Sequence, residues 1–238
     1  MMKALVFALT LALVSVLGCT LPSGVSQAAA DPLAQVLSLS EASLLLEEDG
    51  KVRIDHQANK PMVPASTMKL VTALAAIQRW GLEHRFHTDC LTADGWLWIQ
   101  GGDPFLVSEE LDRLVTGLKE AGPGKVKGIG LDDGLFSPTL RIDGRSASDN
   151  PYDAPVTALA VNFNTLALTK ASGKVLSGEA QTPLTPLGRE LAARLGPGKH
   201  RINLRDRETA LRYVGEGLVA KLEGAGIQTG GDGRLGPG

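Results

Sequence analysis

From Leu70 to Gln78 the chain runs Leu-Val-Thr-Ala-Leu-Ala-Ala-Ile-Gln with no charge at all, and this uncharged stretch constrains the fold more than any other. Pro64 before it, Ser66 and Thr67 at capping positions and Gly81 just past Trp80 mark it as a helix with a defined start and stop. A helix that is apolar on nearly every face reads as a core helix, so the fold needs layers that cover it. Lys69, in its first turn, is then drawn into the core or to its edge.

Ser66 and Lys69 stand three residues apart, and side chains at that spacing share a helix face. A lysine held there loses hydration and feels the positive end of the helix dipole, and both effects favour the neutral amine. A neutral amine can take the serine proton as the hydroxyl attacks a carbonyl, then hand it to the leaving group. Ser66 is thus the candidate nucleophile and Lys69 its base. A purely structural use is also open: Ser66 caps the helix and Lys69 extends its ammonium to solvent. On spacing alone that use is the commoner, because S-x-x-K is a short pattern; the uncharged helix behind it shifts weight toward chemistry.

The 238 residues, with 24 basic against 26 acidic side chains and a net charge of −2, suit one or two globular domains and offer no electrostatic case for nucleic acid. An aromatic content of 4% argues against a stacking platform for bases or sugars. Lys3 followed by the apolar run Ala4 to Leu17 reads as an export signal. Two processing readings stand side by side. Val16-Leu17-Gly18-Cys19 resembles a lipoprotein box that would make Cys19 a lipid anchor, and Ser26-Gln27-Ala28 or Ala28-Ala29-Ala30 suits ordinary signal peptidase. Either way the product is exported, and Cys90 has no disulfide partner within the chain. It reads as a small apolar side chain on a strand, on the face shared with Phe86, with a reactive thiol as the alternative.

Local signals predict a short helix over Asp31 to Leu39 and a hairpin of Ala42 to Glu47 with Lys51 to Gln57 around Glu48-Asp49-Gly50. They predict a second hairpin, Arg85 to Leu91 with Trp96 to Gln100, around Ala93-Asp94-Gly95. An amphipathic helix over Ser108 to Ala121 carries Leu111, Leu114, Val115 and Leu118 on one stripe, and a strand follows over Val126 to Leu131. Beyond it, strands are expected at Val156 to Ala160, Thr165 to Thr169 and His200 to Leu204, with Pro183 and Pro186 as interruptions. A helix over Glu208 to Glu223 leads into Gly226 to Gly230, and a loop closes the sequence. The last helix-glycine-strand run echoes Leu118 to Gly128, as two equivalent α/β units in one layer would.

Pro64-Ala-Ser-Thr-Met-Lys69 is accompanied, in order, by Arg85-Phe-His-Thr88, Gly101-Gly-Asp-Pro104, the Gly128 to Asp132 strand, Tyr152-Asp-Ala-Pro-Val-Thr-Ala-Leu-Ala-Val-Asn162 and the Gly226 to Gly230 ending. Together these resemble the penicillin-binding-protein-4 type of D-alanyl-D-alanine carboxypeptidase and endopeptidase. The resemblance implies an α/β (α+β) chain: part of a β-lactamase/transpeptidase-like domain over residues 31–84, following a signal at 1–30, and an inserted α/β and β-rich region over 85–238. It implies a periplasmic serine peptidase, acylated at Ser66 with Lys69 as proton shuttle, acting on peptidoglycan stem peptides and inhibited covalently by β-lactams. No cofactor and no metal are implied.

The family also uses an S-x-N element and a Lys-Thr-Gly strand. Ser148-Asp149-Asn150 has suitable letters but sits before Pro151 and reads as a turn, and Lys170-Ala-Ser-Gly173 has the wrong spacing. Both family elements lie downstream of the segment matching Gly226 to Gly230, so the sequence reads as the front part of such an enzyme, with an apolar helix that lacks cover. His56, His84, His87 and His200 are not spaced as zinc ligands, and Asp132-Asp133, which could bind a cation, reads rather as an exposed strand end. Gly128-Ile-Gly130 and Gly122-Pro-Gly-Lys125 fall short of nucleotide-binding fingerprints. Besides the peptidase, one other class remains: a non-catalytic exported protein that binds cell wall or a partner.

Overall fold

Asp49 (φ 51°) and Gly50 (φ 72°) adopt the left-handed backbone that a two-residue hairpin turn requires. They join β1 (Leu44–Glu48) to β2 (Lys51–His56) as an antiparallel pair, as expected. The computed structural model describes residues 31–122 and 124–235. The expected export signal, with Cys19 and both cleavage sites, lies outside them. Contacts divide the chain into two units, one ending at Arg79 and one beginning at Trp80.

In the first unit α1 (Pro32–Leu37) is capped by the Asp31 side chain, which accepts from Leu33 N. After the hairpin come a 3-10 turn (Ala65–Thr67) and α2 (Met68–Trp80), which stops at Gly81 (φ 80°). Two expectations are corrected here. Neither Ser66 nor Thr67 caps the helix: both lie within the 3-10 turn, and the Thr67 hydroxyl donates back to the Pro64 carbonyl. Nor is α2 buried; no residue of it is, and Leu70 is 73% exposed and Leu74 55%. Apolar periodicity marks a face that gains from cover, and no described residue of this unit provides it.

The second unit is built on a four-stranded sheet, β3 (Asp89–Ala93), β4 (Trp96–Gln100), β5 (Lys125–Asp132) and β9 (Gln228–Leu235), in that spatial order. β3 and β4 form an antiparallel hairpin through Asp94 (φ 51°) and Gly95 (φ 80°). β4 and β5 are parallel and joined through α3 (Ser108–Ala121), and β9 adds parallel to β5 after α5 (Arg207–Gly224). The two helix-to-strand runs are thus equivalent units of one layer, as their likeness suggested. β9 runs on to Leu235, where a loop was expected from Gly231. Parallel pairing with β5 extends the strand through a glycine-rich stretch whose own propensity is low.

Leu97, Ile99, Ile129 and Leu131 of the sheet pack with Leu111 and Val115 of α3 and with Leu211, Val214, Leu218 and Leu222 of α5 in one core. A smaller antiparallel sheet, β7 (Lys174–Ser177), β6 (Thr165–Ala171) and β8 (Gly198–Asn203), extends it through Leu166 and Leu168.

Pro186 does not interrupt this region; it opens α4 (Pro186–Ala192). A proline costs nothing at a first helical position, and Thr185 Oγ1 caps the turn by accepting from Gly188 N at 3.1 Å. The strand expected at Val156 to Ala160 is absent, although Thr157, Ala158 and Leu159 are buried. Gly101 packs directly on its backbone, where a Cβ would come within 2.5 Å of the Ala158 carbonyl, so burial comes from close approach without ladder pairing. The strand expected from Arg85 begins only at Asp89, which leaves Phe86 off the sheet. Phe86 instead meets Trp80 edge-on, with ring centroids 5.4 Å apart.

Candidate active site

The start of α2 places the two expected groups together. Lys69 Nζ lies 3.2 Å from Ser66 Oγ, within hydrogen-bond reach, with Nζ as donor. The serine is the middle residue of the 3-10 turn and the lysine is one turn on, so the i, i+3 relation that the spacing implied holds. Ala65, immediately before Ser66, has φ 44°, the left-handed region that a residue with a Cβ rarely enters. Such strain of about 1–3 kcal/mol persists only where something holds it. Here the Thr67 N–H and hydroxyl both return to the Pro64 carbonyl and tie the turn from behind. The open backbone N–H groups of a helix start favour negative charge developing at Ser66 Oγ.

One expectation does not hold: Ser66 and Lys69 are both exposed, so the described surroundings do not strip water from the amine.

Other candidate residues are committed elsewhere. Ser148 Oγ donates to Asp153, Asn150 Oδ1 accepts from Tyr152 N at 3.0 Å, and Asn203 Nδ2 donates to the carbonyls of both Ser148 and Asn150. This is a turn held by its own side chains. The hydrogen bonds from Ser148 and from Ser146 N, with Arg145 nearby, hold the Asp153 carboxyl below its ordinary value. Lys170 Nζ donates to the carbonyls of Ala192 (3.1 Å) and Leu195 (2.7 Å), closing the end of α4. Asp133, expected at an exposed strand end, is buried and doubly bonded to Arg207 Nε at 2.9 and 3.0 Å. That pair ties the end of β5 to the start of α5.

His56 contacts the Gln57 amide and His200 the Gly196 carbonyl, and His84 stacks on Trp80. Among the described residues no three His, Cys, Asp or Glu side chains gather as metal ligands. A cavity of about 540 Å³ carries Arg145, Arg205 and Arg207, but each is spent internally: on the Asp153 carbonyl, on Asp149 and on Asp133 respectively.

A buried polar cluster escaped the sequence reading. Asn162 Oδ1 accepts from Ser108 N at 3.0 Å, which caps α3 from a distance, while Nδ2 donates to Ser108 Oγ (2.9 Å) and the Tyr213 hydroxyl (3.1 Å). Its signal was a polar residue closing the apolar run Val156 to Val161. Burial pushes the Tyr213 hydroxyl pKa up, and the bond from Asn162 partly offsets this. Asn162, Phe163 and Asn164 are all left-handed (φ 51°, 59° and 51°), a bend that asparagine tolerates and that is costly for phenylalanine.

The profile of the D-Ala-D-Ala carboxypeptidase 3 (S13) family matches residues 25–190. A D-alanyl-D-alanine carboxypeptidase of Actinomadura sp. (strain R39) is 32% identical over 124 residues, 47% of this chain and 23% of that protein. The fold is similar to that of penicillin binding protein 4 from Haemophilus influenzae, with TM-score 0.55 and 21% identity over 78% of this chain and 50% of that one. The chain therefore spans half the length of the matched structure and less of the curated relative. The mixed α/β class expected of the sequence is the one observed.

Proposed function

Because the chain belongs to the D-Ala-D-Ala carboxypeptidase 3 (S13) family, whose profile covers more than half of it, we propose that Ser66 is the acylated nucleophile of a serine peptidase acting on peptidoglycan stem peptides. The observation that carries this reading is the 3.2 Å approach of Lys69 Nζ to Ser66 Oγ at the open start of a helix. In its neutral form the amine takes the hydroxyl proton while Oγ bonds to the carbonyl carbon of the penultimate D-alanine. The tetrahedral centre collapses, the C–N bond breaks, and the proton passes from the ammonium to the departing amine of the terminal D-alanine. Water then hydrolyses the ester, returning a proton to Ser66 and releasing the shortened peptide. A β-lactam enters the first half of this sequence and remains as the acyl group.

The full reaction also needs donors for the oxyanion and a cation for the substrate carboxylate. Ser148 and Lys170, the nearest matches in the sequence, are held by internal bonds, so the complete cycle is proposed for the enzyme with its S-x-N and Lys-Thr-Gly elements in place. Those elements would also cover α2 and dry the amine, which would favour its proton-accepting form. The proposed compartment is the periplasm, reached through the export signal, with Cys19 as the point of lipid attachment if the lipoprotein box is used. Among the described residues no helix is long and apolar enough to cross a membrane.

Labelled penicillin, applied to the enzyme with its S-x-N and Lys-Thr-Gly elements in place, tests the reading. Covalent labelling that disappears in Ser66→Ala, and slows by about 10²–10⁴ in Lys69→Ala, is the expected result. No labelling where an intact family member labels, or labelling indifferent to Ser66→Ala, overturns it.

A further inference from the structure

The four-stranded sheet has two unlike faces. One sends Leu97, Ile99, Ile129 and Leu131 into the core with α3 and α5. The other carries three rows set by the strand register: Ala93 beside Trp96 beside Gly128, Leu91 beside Trp98 beside Gly130, and Asp89 beside Gln100 beside Asp132. Side chains in register on neighbouring strands point to the same face, so the rows are contiguous.

The middle row is tightly specified. A Cβ on Gly130 would fall 2.2 Å from Trp98 Cε3 and 2.4 Å from Cζ3, so only glycine lets the indole lie against the backbone of β5. The Trp96 ring lies 6.3 Å away with its plane tilted by 36°. Both indoles are partly exposed, whereas Leu97 and Ile99 between and beside them are 1% and 0% exposed. Two of the three tryptophans of the chain thus form one shelf, and a whole-chain aromatic content of 4% conceals it.

At the carboxyl end of β4 and β5 the shelf meets a pocket of about 560 Å³ with mixed polar and apolar walls, lined by Arg85, Phe86, His87, Asp89, Gln100 and Asp132 among others. There Gln100 Nε2 donates to Asp132 Oδ2 at 2.8 Å, and Gly134 N donates to Oδ1 at 2.8 Å, which fixes the amide and the carboxylate in place. Gly102 keeps the wall close, since a Cβ there would stand 2.5 Å from the His87 carbonyl oxygen.

We propose that this face binds a β-linked glycan of N-acetylated amino sugars, with a pyranose ring on Trp98 and the next residue's hydroxyl and amide groups in the Gln100–Asp132 pocket. The negative π-face of an indole attracts the weakly positive C–H bonds that such a ring presents on its flat side. Carboxylate and amide groups beside an aromatic surface then bond the hydroxyls, and charge-assisted bonds are the stronger kind. A stacked nucleotide fits less well, because Asp89 and Asp132 outnumber Arg85 among the charged side chains of the pocket and the balance repels phosphate. The inference rests on the peptidoglycan reading only for the choice of polymer, and it deepens that reading by assigning the glycan strand a seat on the second unit.

The full chain titrated calorimetrically with the β-1,4-linked N-acetylglucosamine hexamer tests this. Saturable binding is expected, weakened at least about 10-fold by Trp98→Ala and about 3-fold by Gln100→Ala, with no binding of the α-1,4-linked glucose hexamer. Gln100 is exposed, so its variant decides the matter should Trp98→Ala lose its circular dichroism. No saturable binding, binding unchanged in the folded variants, or equal binding of the α-linked hexamer overturns the proposal. Penicillin labelling is read separately: labelling without glycan binding removes this inference alone, and glycan binding without labelling removes the proposed reaction alone.

Discussion

Among its described residues the first unit contains the serine and lysine of the proposed reaction and not one buried residue, whereas the second contains the whole buried core and neither of those groups. The contrast is not one of composition. α2 is at least as apolar as α5, yet α5 sinks Leu211, Val214, Leu218 and Leu222 into a sheet and α2 buries nothing. Hydrophobic residues create a demand for cover, and stability comes only from the area that is removed from water. The second unit meets that demand within itself; the first carries the proposed serine and lysine on a helix that no described residue of that unit covers.

Paired core truncations would break this comparison most directly. Leu218→Ala, at a fully buried position, is expected to cost about 2–5 kcal/mol, and Leu74→Ala in α2 less than about 0.5 kcal/mol. Urea unfolding followed by tryptophan fluorescence checks the first, because Trp80, Trp96 and Trp98 all lie in the second unit. A large effect of Leu74→Ala on any transition would mean that α2 is covered after all.

Next in size is Arg207→Ala, which leaves the Asp133 carboxylate buried without its partner; about 2–3 kcal/mol of the same transition should be lost. Adding Asp133→Asn should recover part of it. Thr185→Ala removes the cap of α4 and should cost about 1 kcal/mol.

Two titrations sharpen the picture without mutation. Burial, with Asp89 as the lesser cause, pushes the Cys90 thiol up to about 11. Alkylation at pH 8 should therefore run roughly 100-fold slower in folded protein than in urea, and an equal rate would show that this edge of the second unit is open. Asp153 titrates below its ordinary value of 3.8, so its contribution is present above that pH and is lost as pH falls through the folded value. The Ser146–Ser148 turn should hold at pH 5 and loosen only below about 4, as amide exchange of Ser146 would report.

Much of this architecture was legible in the residues. Both hairpins, the limits of α3, the stop of α2 and the equivalence of the two helix-to-strand runs follow from turn chemistry and periodicity acting over a few residues. α4 was misread because a proline breaks a helix anywhere but at its first turn, and only the cap by Thr185 identifies that turn. The Asn162 cluster and the Trp96–Trp98 shelf were missed for another reason. Each joins residues from different strands or helices, and no window along the chain contains them together.

The S-x-x-K approach could be derived in advance because three residues of helix place two side chains one above the other whatever surrounds them. Whether the amine stays wet, whether an apolar helix finds cover and which glycines must lie beneath an indole depend on groups distant in sequence. Those were decided by packing, since the free energy of burial belongs to a surface shared between elements and not to either element alone.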